Sequence, residues 1–413
     1  MTRPDGSRSR HTPNTLSQRV AATVAGQRAL PTAVRAVLGY YSDTGDLAVG
    51  SLELKRYVDE FLDRVIEEAF DPVETAVAAE FDVTPEQVAF AYDTKLTMPA
   101  ELTLSHLFGR IRAETTPQLN PLTGELDGGA LGLARRVLSN GAPSDAALAD
   151  ARERLATIRK MTRLVVVALL DGDMRDAIND DEYEDFEVGF EIDGDDRARI
   201  AEIAQATLEA QVRELFDAFP DAVEEEYTAA VDFSEAHQDR DPHFRELMDR
   251  AEDGDADALA AIEAEYKYGD FETAPALFTA EELDFPYLKT QYGRVGVIYH
   301  GMIEMYRAAG IDIEQSFERS IVFAIIGAQI WLDDVDDYHA DVTETQLTPV
   351  TAEYLLADDD DEALTRVLDV TNQYLTAAKE YAAATDSGLA GIGADYILRS
   401  GSAAVLPGEE TQG

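Results

Sequence analysis

The sequence predicts an all-α fold, a helical bundle interrupted by acidic insertions. Apolar residues recur at steps of three and four along most of the chain, the period of a helix with one buried face. Capping and stop signals punctuate that pattern, with Thr84-Pro85-Glu86 and Ser144 as starts and Asp71-Pro72 as a stop. No stretch alternates apolar and polar residues for long enough to build a sheet.

Taken in order, Leu54, Tyr57, Val58, Phe61, Leu62, Val65, Ile66, Ala69 and Phe70 mark an amphipathic helix, which Asp71-Pro72 is expected to end. Thr84 reads as the N-cap of the next, with Pro85 in its first turn. Ser144 opens a long helix that runs to about Asp176 and includes the apolar stretch Leu164–Leu170. Its β-branched Val166 sits within an uninterrupted helical pattern, so no strand is expected there. Ile200, Ile203, Leu208, Val212, Leu215 and Phe216 mark a further helix. Tyr287–Ala309, Glu314–Asp341, Glu362–Ala384 and a short segment around Ile392–Leu398 complete the set.

The expected organisation is a disordered basic tail over residues 1–13, then a helical region over 14–144 packed on the main bundle. That bundle covers 145–403, and a second disordered tail covers 404–413. Arg3, Arg8 and Arg10 make the first tail locally basic, either as a small anion-binding arm or simply as a floppy terminus. Two stretches, about 179–196 and 217–282, are acidic and read as solvated loops or lids.

Composition narrows the function. Of the 413 residues, 45% are apolar, enough for a folded core, so disorder throughout is not expected. The formal charge of −48 disfavours general nucleic-acid binding, because phosphate backbones repel such a chain. Only 6 of its 34 basic residues are Lys. A carboxylate coat of this kind repels itself in dilute buffer and is screened in molar salt, where the Debye length falls to about 3 Å. In this respect the chain resembles cytoplasmic proteins of extreme halophiles, haloarchaea above all. With no Cys, disulfides and thiolate chemistry are excluded. No apolar run reaches the ~18 residues of a membrane span, and the start of the chain lacks a signal-peptide core. A cytoplasmic protein without a transmembrane segment is expected, and a homodimer is left open.

Chemistry concentrates in IVFAIIGAQIWLDDVDDYHAD, residues 321–341. An apolar helix runs into Asp333, Asp334, Asp336, Asp337 and Asp341. At 100° per residue, Asp333, Asp337 and Asp341 lie on one stripe that continues back through Gln329, Ile330, Ile326 and Val322. Carboxylates ending a core-facing stripe repel one another unless a cation compensates. Mg²⁺ held by one or two carboxylates and substrate phosphates suits this arrangement. Asp358–Asp361 is equally acidic but reads as a loop or helix start. At the end of the other strongly apolar helix, LVVVALLDGDMRD, Asp173 and Asp176 extend the stripe of Val166, Leu169 and Leu170. Facing each other across a bundle, the two clusters would hold metal between them.

Gln329–Asp341 (QIWLDDVDDYHAD) resembles the second Asp-rich motif of the class I isoprenoid synthases, the trans-prenyltransferases and terpene synthases. Leu169–Asp176 (LLDGDMRD) resembles their first. The resemblance implies a helical bundle around a central apolar cavity. It further implies Mg²⁺ bound by Asp333, Asp334, Asp337 and Asp341 with Asp173 and Asp176 opposite, and an isoprenoid diphosphate undergoing prenyl transfer or cyclisation. Lys289, Arg294, Gln329 and Lys160 are the expected substrate-binding residues. Two rivals stand beside this reading. One is a helical interaction or scaffold protein whose Asp clusters serve solubility, with no active site. The other is a metal-binding or hydrolytic bundle acting on a diphosphate. The six His include no ExxH pair, and no P-loop, GxGxxG, HExxH or GxSxG motif is present.

Overall fold

A computed structural model describes residues 21, 25, 32–44, 49–92, 97–126, 143–179, 186–192, 194–385 and 387–408. The fold is all-α. Strand pairing among these residues is limited to two two-residue strands, Ala91–Tyr92 and Phe186–Glu187, joined antiparallel, and one isolated bridge between Leu119 and Leu126. No described helix is long and apolar enough to cross a membrane. The basic tail over 1–13 lies outside the described residues.

The chain divides into two compact units. The first takes the described residues of Met1–Val49, Ala229–His300 and Glu314–Gly413; the second takes those of Gly50–Thr228 and Gly301–Ile313.

In the second unit, the helix Val49–Phe81 passes straight through Pro72. The expected stop at Asp71-Pro72 does not occur. Proline removes one helical hydrogen bond, but Val73 and Val77 beyond it are fully buried, and their burial outweighs that loss. The helix Asp145–Asn179 starts as the sequence suggests, with Ser144 Oγ accepting from the Ala147 amide at 3.2 Å. It packs against Met98–Glu114 and Gly194–Phe216, so it belongs with the region that precedes it. The Thr162 hydroxyl meets the buried Tyr306 hydroxyl at 2.6 Å. Phe90 stacks on Phe186 and meets Phe70 edge to face, covering the strand pair. Of the expected acidic insertion over 179–196, residues 180–185 and 193 lie outside the described set.

In the first unit Ala36, Tyr40 and Ile392 form a smaller core, and the main core runs from Ala230 to Leu406. Residues 217–282 are not the solvated loops expected from their acidity. They form the helices Asp221–Gln238, Asp241–Glu252 and Ala256–Ala261, and they send Phe244, Leu247, Met248, Ile262, Tyr266 and Phe278 into that core. Helix Asp241–Glu252 is strongly one-sided, which is how so acidic a segment still buries an apolar face. Residues 404–408 are packed rather than frayed: Leu406 is buried, and Tyr354 donates to the Pro407 carbonyl at 2.7 Å.

The most extensive helix pairing in this core is Gln315–Ala328 against Asp360–Ala384. Gly327 makes the approach possible, because a Cβ there would lie 2.6 Å from Leu375 Cδ2. Gly327→Ala should therefore cost about 1–3 kcal/mol in denaturant unfolding, the usual penalty of overpacking. Leu375→Ala in the same chain should recover part of the Gly327→Ala loss. Additive losses in the double variant would show that the two residues do not share this contact.

Three π-turns interrupt the helices of this unit, at Ile262–Lys267, Tyr292–Gly296 and Gln329–Asp334. Such turns carry an extra residue and change which side chains face inward, and they concentrate at functional sites.

Candidate functional site

Each π-turn supplies a residue to one cluster of buried charge. From Gln329–Asp334 comes Asp334, 1% exposed. From Tyr292–Gly296 comes Arg294, whose Nη1 donates to Asp334 Oδ1 at 2.7 Å. From Ile262–Lys267 comes Tyr266, buried and donating to the Leu347 carbonyl at 2.6 Å. Asp341, on the short helix Tyr338–Thr343, is half-buried beside them.

The π-turn decides which acids point inward. Bonding from residue i to i+5 winds fewer degrees per residue than an α-turn. Ile326, Ile330 and Asp334 therefore keep one buried line, and Asp334 ends it. The helix resumes at Tyr338 and brings Asp341 round to the same side. The stripe of Asp333, Asp337 and Asp341 expected from an unbroken α-helix is thus replaced by Asp334 and Asp341. Asp333 and Asp337 are exposed. Asp333 accepts from the Gln329 amide and lies 4.0 Å from Arg294 Nη2.

Asp334 Oδ2 and Asp341 Oδ2 are both buried, and neither has a hydrogen-bond partner among the described residues. Burial pushes the Asp334 carboxyl up to about 6, against the pull of Arg294. Burial, and then repulsion from Asp334, pushes Asp341 up to about 7. Burial lowers Arg294, but the charges of Asp334 and Asp333, Tyr266 and the hydrogen bond to Asp334 together raise it overall. Three residues before Arg294, Gln291 is fully buried, and neither of its amide atoms has a partner among the described residues.

Three cations, Arg240, Arg294 and Lys289, act on His237. Burial, and then these charges, push it down to about 4, so it stays neutral. Its ring fits against Gly293, where a Cβ would lie 2.9 Å from His237 Cγ. Lys289 donates to the Asp270 carbonyl.

The remaining expected residues lie in the second unit. Asp173 is half-buried and Asp176 exposed, so they do not extend the core stripe. Asp171 does, at 1% exposure, following Leu164 and Val167 at helical steps. Arg175 and Gln205 hold Asp171 at 3.0 and 3.1 Å, and burial raises its carboxyl. Lys160 is exposed.

Sequence reading did not find a second buried network in the first unit. Lys267 Nζ lies 2.7 Å from Glu353 Oε1, and the Tyr287 hydroxyl donates to the same oxygen at 2.9 Å. Lys267 is 8% and Glu353 1% exposed. Tyr287 holds a φ of +63°, a left-handed conformation that a bulky residue adopts only under constraint. Its amide bonds to the Lys267 carbonyl at 2.6 Å, so both ends of the residue are pinned. The scarcity of Lys was the one available signal. His300 was missed as well. Tyr292 Oη meets its Nδ1 at 2.8 Å, and buried Glu318 lies 3.5 Å from its Nε2.

The chain matches no family, no curated protein and no solved structure.

Proposed function

We propose that this protein binds Mg²⁺ at Asp334 and Asp341, and through it the diphosphate of an isoprenoid substrate. One observation carries the metal: two buried carboxylate oxygens, Asp334 Oδ2 and Asp341 Oδ2, without hydrogen-bond partners among the described residues and mutually repelling. A hard divalent ion relieves both conditions, since it takes carboxylate oxygens and keeps its waters for a phosphate to replace. Asp333 and Asp337 stand at the exposed rim, where a hydrated ion would enter. Lys289 and Arg294 supply positive charge for the diphosphate, and neutral His237 can donate a hydrogen bond without adding charge. When bound, Mg²⁺ would neutralise the departing diphosphate, the step on which prenyl transfer or cyclisation depends. The isoprenoid tail, a bundle of isoprenoid-synthase type, its central apolar cavity and the halophilic setting are parts of the same proposal. They rest on the resemblance of residues 329–341 and on composition.

A second reading is favoured by the Arg294–Asp334 pair itself, which at 2.7 Å already compensates half of that carboxylate. In that case the cluster is a structural ion pair in a helical scaffold protein. Isothermal titration with geranylgeranyl diphosphate in molar KCl separates the two. The metal reading expects saturable binding with Mg²⁺, none in chelator, and loss of binding in Asp334→Asn/Asp341→Asn. Absence of heat with and without Mg²⁺ would leave the scaffold.

A further inference from the structure

We infer that a groove in the second unit, between the helices Val49–Phe81 and Asp145–Asn179, binds a phosphate group carried on an apolar stem, without a metal. The groove has a volume of about 340 Å³, within the range of small-molecule sites. The first helix lines it with Phe61, Arg64, Val65 and Glu68, and the second with Ala156, Arg159, Lys160 and Arg163. Both sets have the spacing i, i+3, i+4, i+7, so each helix turns one whole face to the groove. Leu122 completes the lining.

Charge singles the groove out. Acids outnumber bases more than two to one in the chain, yet four of the five charged residues here are cations. Arg64 and Arg163 pair with Glu60 and Glu68. Arg159 has no carboxylate partner among the described residues. It donates to the Pro121 carbonyl at 3.0 Å and to that of Leu122, which fixes its guanidinium. The turn that holds it is itself built: Asn120 caps Leu122 at 2.9 Å, and Arg152 bonds the Gly124 carbonyl at 2.7 Å. Lys160 likewise has no ion pair among the described residues. By contrast Lys55, Lys267 and Lys379 each hold a carboxylate. In so acidic a protein, two adjacent uncompensated cations over an apolar floor fit an anion from outside. Burial also lowers the Arg159 guanidinium, a strain that a bound anion would relieve. Guanidinium forks suit phosphate, and Phe61, Val65, Leu122 and Ala156 suit a short hydrocarbon.

The test uses the full chain in chelator, which keeps it independent of the Mg²⁺ reading. Titration with hexyl phosphate should saturate at one site, tighter than inorganic phosphate by at least about 10-fold, as several buried methylenes require. Lys160→Glu, a change at an exposed position, should weaken it at least about 10-fold, and Ala156→Trp should block it with the charges intact. Asp334→Asn/Asp341→Asn should leave it unchanged. Vesicles containing phosphatidic acid form a second arm. Sedimentation with them, lost in Lys160→Glu, would assign the phosphate to a lipid headgroup, whereas binding of the free ester alone would assign it to a soluble ligand. Equal binding by wild type and Lys160→Glu, equal binding of hexanol, or no binding in either arm overturns the proposal.

Discussion

Replacing Lys267 with Ala should destabilise the protein by about 3–5 kcal/mol, the usual cost of stranding a buried charge. Glu353 is 1% exposed and would keep only the Tyr287 hydroxyl, at 2.9 Å, and Arg366 Nη1, at 3.7 Å. One hydroxyl and one long ion pair do not offset the desolvation of its carboxylate. Tyr287 would also lose part of what constrains its left-handed backbone, since its hydroxyl shares Glu353 with Lys267. Lys267→Met/Glu353→Leu should cost less than Lys267→Ala, because it removes both charges and refills the volume. Denaturant unfolding in molar KCl measures all three chains. A loss under about 1 kcal/mol for Lys267→Ala would mean that water or Arg366 already serves Glu353.

The second large effect concerns pH and Mg²⁺ together. Asp334 and Asp341 are pushed up to about 6 and about 7, from 3.8 in both cases. A carboxyl raised on folding holds its proton more tightly in the native state than in the unfolded chain. Between about pH 4 and 7 the native state therefore carries more protons, and stability falls as pH rises through that window. The loss should be on the order of 3 kcal/mol, because each unit is worth about 1.4 kcal/mol and the half-exposed Asp341 is discounted. Mg²⁺ competes with those protons, so the rise in Tm that it produces should be small near pH 5 and larger near pH 8. Asp341→Asn should remove its own share of the fall with pH, leave that of Asp334, and remove most of the response to Mg²⁺. In the absence of metal near pH 8, that variant should be more stable than wild type. A flat pH profile together with a pH-independent Mg²⁺ response would remove the repelling pair as their cause.

Helix starts were legible because their chemistry is local. Ser144 caps its helix through its own hydroxyl, and Asp359 accepts from the Glu362 amide at 2.9 Å, so the acidic run at 358–361 is a helix start, as its sequence suggested. Pro72 misled because it reports only the hydrogen bond it lacks and says nothing of the burial of Val73 and Val77 beyond it. The acidity of residues 217–282 misled in the same way. Composition counts the outer face of a helix such as Asp241–Glu252 together with the inner one, and Phe244, Leu247 and Met248 on the inner face decide the packing.

From sequence alone came the helical class, the carboxylate coat and the segment where apolar helix meets acid, Ile321–Asp341. All three follow from residue type and period, which need no partner. Which acids turn inward was settled by packing. The π-turn at Gln329–Asp334 shifts the helical phase, and Asp334 is held by Arg294, 40 residues away in the chain. The same holds for Lys267 and Glu353, 86 residues apart. A charge can be buried only where a distant side chain compensates it, and a linear pattern carries no record of such a meeting.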